Sequence, residues 1–362
     1  MMLRVTRTSL VLAVLMMTLL ACSDEHTVID NSLPSPSPTP LPSVPTQASL
    51  LRYVSPAGDN HNPGTLDRPW GTLGFALHRL YLGQVLFVRG GTYHENIDRL
   101  RLHAGTAESP ITVLAYPGEN PVLAGTVSLA GPTYWLIDNL DVTGEKRTKG
   151  AEPAFMVKII GGQHWTWQNS EFSGTVSHAN VMITGWGVGE PSGFTFRGNC
   201  LHGLPKPPMS SANLFLGSMK SGAYGTVSRN VVFNHEEQPN VRIGSGAGAP
   251  VRVKVTQNTI YGGSLGIDVR GLPRRLKIRR NVVGGGPAPA MIRFSSEAWQ
   301  GTTLTNNAVV DAQQLLRPEV RNNVKGYGNV VLPGPSEFVD TTRCDGFRSG
   351  LDAMIPYGAF AP

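Results

Sequence analysis

The 362-residue chain carries 42 Gly and 28 Pro, and only 15% of it is charged. A composition so rich in turn formers, with β-branched residues recurring between them, excludes a fold of long helices and points to all-β. The formal charge of +6 becomes +7 when the first 48 residues are set aside, leaving 29 basic and 22 acidic side chains, a balance that suits polyanions or lipid headgroups.

The N-terminus sets the expected compartment. Arg4 and Arg7 precede an apolar run from Leu10 to Leu20. That run falls short of the roughly 20 residues a membrane-spanning helix needs and has the length of a signal-peptide core. It closes on Leu19-Leu20-Ala21-Cys22, which resembles the bacterial lipobox. The resemblance implies cleavage before Cys22 and lipidation of that cysteine; an ordinary secretory signal is the alternative. Proline at every second or third place between Leu33 and Pro45 forbids helix and sheet and makes an extended tether. The expected organisation is a lipoprotein signal peptide over 1–21, an acylated Cys22 with its Pro/Ser/Thr-rich tether over 22–48, and one folded domain over 49–362. Such a protein is exported and lipid-anchored to the cell envelope, at the surface or facing the periplasm. It is expected to be a monomer without a nucleic-acid partner.

The main internal signal is a repeated phrase of alternating apolar residues, an Asn, and a second short apolar group often closed by Gly. It occurs around Asn139, Asn169, Asn199, Asn230, Asn258, Asn281 and Asn307, which are separated by 30, 30, 31, 28, 23 and 26 residues. Short strands at that period point to a solenoid. Alternation sends Val253 and Val255, and by analogy Trp165 and Trp167, into a central core. The Asn takes the sharp turn, because its side chain bonds nearby backbone and tolerates left-handed geometry. Stacked coils then align the amides as a ladder. Cys200 and Cys344 are too few for a disulfide framework and lie several coils apart, so two unpaired thiols are expected.

Tyr53-Val-Ser-Pro-Ala-Gly-Asp-Asn through Trp70, followed by Gly83-Gln-Val-Leu-Phe-Val-Arg-Gly-Gly-Thr-Tyr-His-Glu-Asn-Ile97, resembles the N-terminal coil of β-helix proteins of the pectate-lyase-like superfamily. The resemblance implies a right-handed, single-stranded parallel β-helix. Leu73 to Leu82 would supply a capping helix, and Glu337 to Phe360 an irregular C-terminal cap. It also implies polysaccharide as the partner class, since related folds include lyases that cut acidic polysaccharides by β-elimination. That reaction needs a base for the proton beside the uronate carboxylate and a cation to steady the resulting anion.

Lys220 and Arg242 lie 22 residues apart, close to one coil, and would stack on one face. Their contexts are similar to the basic pair of the chondroitinase-B and alginate-lyase family, which would make Lys220 the base and Arg242 its anion-stabilising partner. That family places calcium ligands among acids before the lysine. Here Asn213 is the only plausible ligand in that stretch, and Glu236 and Glu237 follow the lysine, so no cofactor is assigned beyond Ca2+ as a candidate. A solvated Lys and Arg is the plainer reading of the pair. Trp186 and Trp299, in loops, are candidates for stacking on sugar rings. Arg270, Arg274, Arg275 and Lys277 open the densest basic run, readable as a polyanion stripe or as a solvated strand face, and Asp268 is placed to pair with one of its arginines. His164, His178 and His202 lack zinc-ligand spacing and read as hydrogen-bonding loop residues. The carboxylates are scattered, which ranks glycoside hydrolysis below lyase chemistry. Two functions stay open: a polysaccharide lyase, and a surface module that binds acidic polysaccharide without cutting it.

Overall fold

The computed structural model describes residues 50–144, 155–174, 178–185, 187–203, 212–220, 222–233, 238–245, 252–295, 299–317, 324–332, 340–347 and 357–360, with Val320 and Phe338. Cys22 and the tether, Trp186, Glu236 and Glu237 lie outside them. Among the described residues the strands fall into three all-parallel sheets of eleven, ten and eight strands, here called A, B and C. The chain visits them in the order A, B, C and then starts the next coil. This is the expected parallel β-helix.

Strand alternation builds the core. Ile137, Trp167, Phe196, Val227, Val255, Ile278 and Leu304 stand in register on successive strands of sheet A, and all are buried. Trp165 stacks on Phe194 with ring centroids 5.2 Å apart, so both tryptophans of that strand belong to the core, as their place in the repeat predicts. Each such side chain contributes roughly 1.5–3 kcal/mol by leaving water.

The turn from A to B carries the ladder, with one shift from the expected pattern. Asn199, Asn230, Asn258, Asn281 and Asn307 are fully buried or nearly so. Asn230, Asn258, Asn281 and Asn307 each donate from Nδ2 to the Oδ1 of the next ladder Asn at 2.8–3.0 Å, with Asn329 completing the stack. The left-handed position is the residue before the ladder Asn: Gly198, Arg229, Gln257, Arg280, Asn306 and Gly328. Asn139 and Asn169 occupy that left-handed position themselves. In their coils Leu140 and Ser170 hold the ladder place, and Leu140 N–H donates to Ser170 Oγ, Ser170 N–H to Asn199 Oδ1. A short polar side chain suits either position, so spacing alone does not separate the two roles.

A helix, α1 (Leu73–His78), covers the N-terminal end and buries Leu73, Ala76 and Leu77. Its first amides donate to the Glu95 carboxylate, from Leu73 at 2.6 Å and from Gly74 at 2.9 Å. An acceptor carrying negative charge satisfies donors that the helix itself leaves unpaired.

Beyond the last strand, the described residues of the C-terminal segment lie against sheet B and the turn that precedes it. Phe338 and Phe347 pack against Tyr261, and Phe347 also against Phe233. Gly358 and Ala359 donate to Arg280 O and Thr259 Oγ1. This path corrects the expectation of two free thiols: Cys344 is disulfide-bonded to Cys200, with Cα atoms 5.9 Å apart across 144 residues. Counting coils predicts distance only for residues that stay in the solenoid, and Cys344 has left it.

Candidate functional site: an arginine cluster on sheet C

Sheet C is where the repeat changes its chemistry. The strands Ala179–Thr184, Ala212–Gly217, Pro239–Ile243 and Leu265–Val269 share an Asn–apolar pattern at their second and third positions, except that Gly266 replaces the Asn. Asn180, Asn213 and Asn240 form a second ladder. Asn180 donates to Asn213 Oδ1 and Asn213 to Asn240 Oδ1, both at 2.8 Å. Each also donates to backbone carbonyls near the end of a sheet B strand. Asn213 is thus fully buried and used in the fold, which corrects its reading as a metal ligand.

Two residues further along each strand, register sets Lys158, Met182, Phe215, Arg242, Asp268 and Arg293 in one column. Its centre is Asp268, only 1% exposed. The Asp268 carboxylate accepts from Arg270 Nε at 2.8 Å and from Arg293 Nε at 3.0 Å, with Arg242 Nε at 3.4 Å. Burial by itself would raise the Asp268 pKa. The hydrogen bond from Arg293 and the charges of Arg293 and Arg270 outweigh it and hold the carboxyl below the ordinary range. Burial, and then the charge of Arg270, pull Arg242 down, yet a guanidinium stays protonated at any ordinary pH.

One anion among three cations leaves the cluster with a surplus of two positive charges. Arg242 is 3% exposed and serves the scaffold, whereas Arg270 and Arg293 are 38% and 55% exposed. Asp268 engages their Nε edges and fixes their planes, and a guanidinium has five donors in all. Arg293 also lines a hollow of about 340 Å3, together with Arg317, Ser264, Leu265, Ile292 and Phe294. A hollow lined by two arginines and by apolar side chains suits a carboxylate-bearing sugar, which has apolar ring faces and one anionic group.

The expected Lys220–Arg242 pair does not form a register pair. Coils at this level advance by 27 residues, as Asn213 to Asn240 shows, not 22. Arg242 stands opposite Phe215, while Lys220 is exposed in the turn after that strand, where its backbone N–H donates to Glu190 Oε2. The basic run also divides. Arg270 joins the sheet C cluster, which bears out the pairing expected of Asp268; Arg274, Arg275 and Lys277 are exposed along sheet A. Trp299 is half-buried at the turn before Thr302–Thr305.

Sequence reasoning missed Lys158. Its pKa is lowered, first by burial and then by the charge of Arg99, and its ammonium lies 5.7 Å from the Phe155 ring centroid. It stands three strands from Arg242, about 14 Å at the usual ~4.8 Å strand spacing, so it does not share a reacting centre with the cluster. His202 closes the strand Cys200–His202, which corrects its reading as a loop residue, and its Nε2 bonds Glu171 Oε1 at 2.9 Å; His164 stacks on Tyr134.

Calcium calls for six to eight oxygens, carboxylates prominent among them. Among the described residues on the six strands from Val157–Ile160 to Ile292–Phe294, Asp268 is the sole carboxylate, and three arginines surround it. The cluster does not fit a divalent cation.

A three-sheet parallel solenoid with asparagine ladders is, in its fold, a pectate-lyase-like parallel β-helix. Residues 52–187 match the family described as Pel9A-like, right handed beta helix region. The chain is similar to the uncharacterized protein YwoF of Bacillus subtilis, 42% identical over 82 residues, or 23% of this chain and 17% of that one. It is also similar to pectate lyase PEL9 of Emericella nidulans, 34% identical over 119 residues, or 33% and 27% of the two chains. These matches therefore span less than a third of the curated relatives' lengths. The solved structure of pectate lyase Pel9A superposes with a TM-score of 0.54 at 14% identity, covering 83% of this chain and 89% of that one. At that identity the likeness is one of fold.

Proposed function

We propose that this chain is an exported, lipid-anchored envelope protein that binds acidic polysaccharide through the Arg270–Arg293 face of sheet C. The observation that carries the reading is the buried Asp268 carboxylate orienting two half-exposed arginines, Arg270 and Arg293, the second of which lines the hollow with Arg317. A scaffold that needed only neutrality would place one cation against one anion. The surplus, with donors left over, supports recognition of a uronate-type carboxylate. The signal-like N-terminus and Cys22 support the anchor, and the tether supports presentation of the domain away from a membrane.

Cleavage is the second reading, favoured by the similarity to a protein named as a pectate lyase. It lacks a described base beside the arginines, because Lys158 is about 14 Å from Arg242. The deciding experiment incubates the purified protein with pectate, alginate, chondroitin and heparin-type chains, with and without calcium. Ultraviolet absorbance from unsaturated uronate is followed alongside retention on the same chains when immobilised. Salt-sensitive retention without an absorbance rise supports binding. A rise that vanishes in Lys220→Ala or Lys158→Ala replaces the binding reading with a lyase and places its base.

A further inference from the structure

The C-terminal half of sheet A carries a second cationic surface unrelated to the Asp268 cluster. Outward positions along this sheet form two columns. One runs Thr195, Thr226, Lys254, Lys277, Thr303, Lys325, and the other Arg197, Ser228, Thr256, Arg279, Thr305, Tyr327. Lys254, Lys277, Arg279 and Lys325 are all exposed. Arg252 and Arg275, also exposed, hold left-handed turn positions at the entry to the strands, and Arg252 lies over the Tyr224 ring at 5.2 Å. Among the described residues, the five strands from Tyr224–Ser228 to Lys325–Tyr327 contain no carboxylate, and no ion pair is formed by these cations.

A chain under no pressure to bind would not stack like charges on adjacent strands. Lysines directly opposite each other repel at the ~4.8 Å spacing of neighbouring strands, and natural sheets normally relieve this with opposite charges. Here Lys254 faces Lys277 unrelieved. We infer that this face of sheet A binds a linear acidic polysaccharide laid along the solenoid axis, one anionic sugar against each strand or two. Strand spacing is close to the length of one sugar unit, so a flat array at that repeat presents cations in step with a uronate chain. Thr226, Thr256, Thr303 and Thr305 place hydroxyls between the cations, suited to sugar oxygens. Among the described residues, the strands of this face expose one aromatic, Tyr327, and its entry turns one large aliphatic side chain, Leu272. That falls short of the continuous apolar face that an interfacial segment lays into a bilayer, which favours a polymer over a membrane surface. The sheet A site rests on the envelope-polysaccharide reading only for the choice of probe.

The test uses the full chain with polygalacturonate, with trigalacturonate, and with phosphatidylglycerol vesicles. The variant is Lys254→Gln, Lys277→Gln and Lys325→Gln combined, all outward side chains whose loss leaves the core intact; circular dichroism and thermal melting check this. Expected are a loss of about tenfold in affinity for the polymer at low salt, a shallower salt dependence, and unchanged binding of the trisaccharide. Arg293→Gln should do the reverse, weakening the trisaccharide and sparing the lysine-dependent part of polymer binding. Failure of the sheet C reading is thereby separated from failure of this one. Polymer binding with unchanged affinity and salt dependence in the triple variant overturns the inference. So does a lysine-dependent binding of vesicles that exceeds that of the polymer, which would make the face a membrane contact.

Discussion

The A-to-B turn and the outer face of sheet C are built on the same coil repeat and use it in opposite ways. At the turn, four successive buried asparagines, Asn230, Asn258, Asn281 and Asn307, do one thing: each side-chain amide donates to the next ladder asparagine and to a backbone carbonyl in a neighbouring coil. On sheet C the asparagine ladder stops at Asn240, and the column beside it changes residue by residue from Lys158 through Met182 and Phe215 to Arg242, Asp268 and Arg293. Uniform repetition marks a position whose job is stacking. A position where register persists while chemistry varies is free for recognition. Within this molecule, departure from the repeat is the better guide to function.

That contrast can be broken from either side. Asp268→Asn should have the largest effect, about 3–5 kcal/mol of stability lost in chemical denaturation, because it leaves the buried Arg242 beside two other cations without a counter-charge. Asn281→Ala should cost about 2–5 kcal/mol, since it opens the ladder and strands the amides of Asn258. Cys200→Ser should cost about 2–4 kcal/mol under oxidising conditions and nothing further under reducing ones, read by thermal melting.

Acid should sharpen the comparison. The folded pKa of Asp268 is depressed, so its contribution is present above the ordinary carboxylate pKa of about 3.9 and is lost as pH falls through the folded value. The stability gap between wild type and Asp268→Asn should therefore narrow below pH 4, while the gap for Asn281→Ala stays constant. Asn139→Ala should have the smallest effect, about 1 kcal/mol, because it removes only tolerance of a left-handed turn.

The fold was legible because a solenoid repeats its instructions. Seven asparagines at nearly constant spacing report the coil, and alternation about Val253 and Val255 reports which side faces in. The disulfide was not legible, since the return path of the chain beyond Val331 leaves no periodic trace. The site was half legible. Asp268 was expected beside the basic run, and Arg242 stood out in Val-Arg-Ile-Gly, but it was paired with Lys220 on a spacing that this level of the solenoid does not have. A signal was present in Ala-Asn-Val-Met-Ile183, Ala-Asn-Leu-Phe-Leu216, Pro-Asn-Val-Arg-Ile243 and Leu-Gly-Ile-Asp-Val269. Aligning those four segments on their residue types puts Met182, Phe215, Arg242 and Asp268 in one column. Arg293 follows on the next strand, where the asparagine pattern has ended.

The central claim is that Asp268 holds Arg270 and Arg293 ready for a sugar carboxylate. Calorimetric titration of the protein with trigalacturonate, comparing wild type with Arg293→Gln at low and at high salt, tests it most directly. Saturable, salt-sensitive binding that weakens about tenfold or more in Arg293→Gln, with that variant still fully folded at the titration temperature by circular dichroism, is the predicted result. Binding of equal strength in both proteins, or none in the wild type, would contradict it and leave the cluster as part of the scaffold.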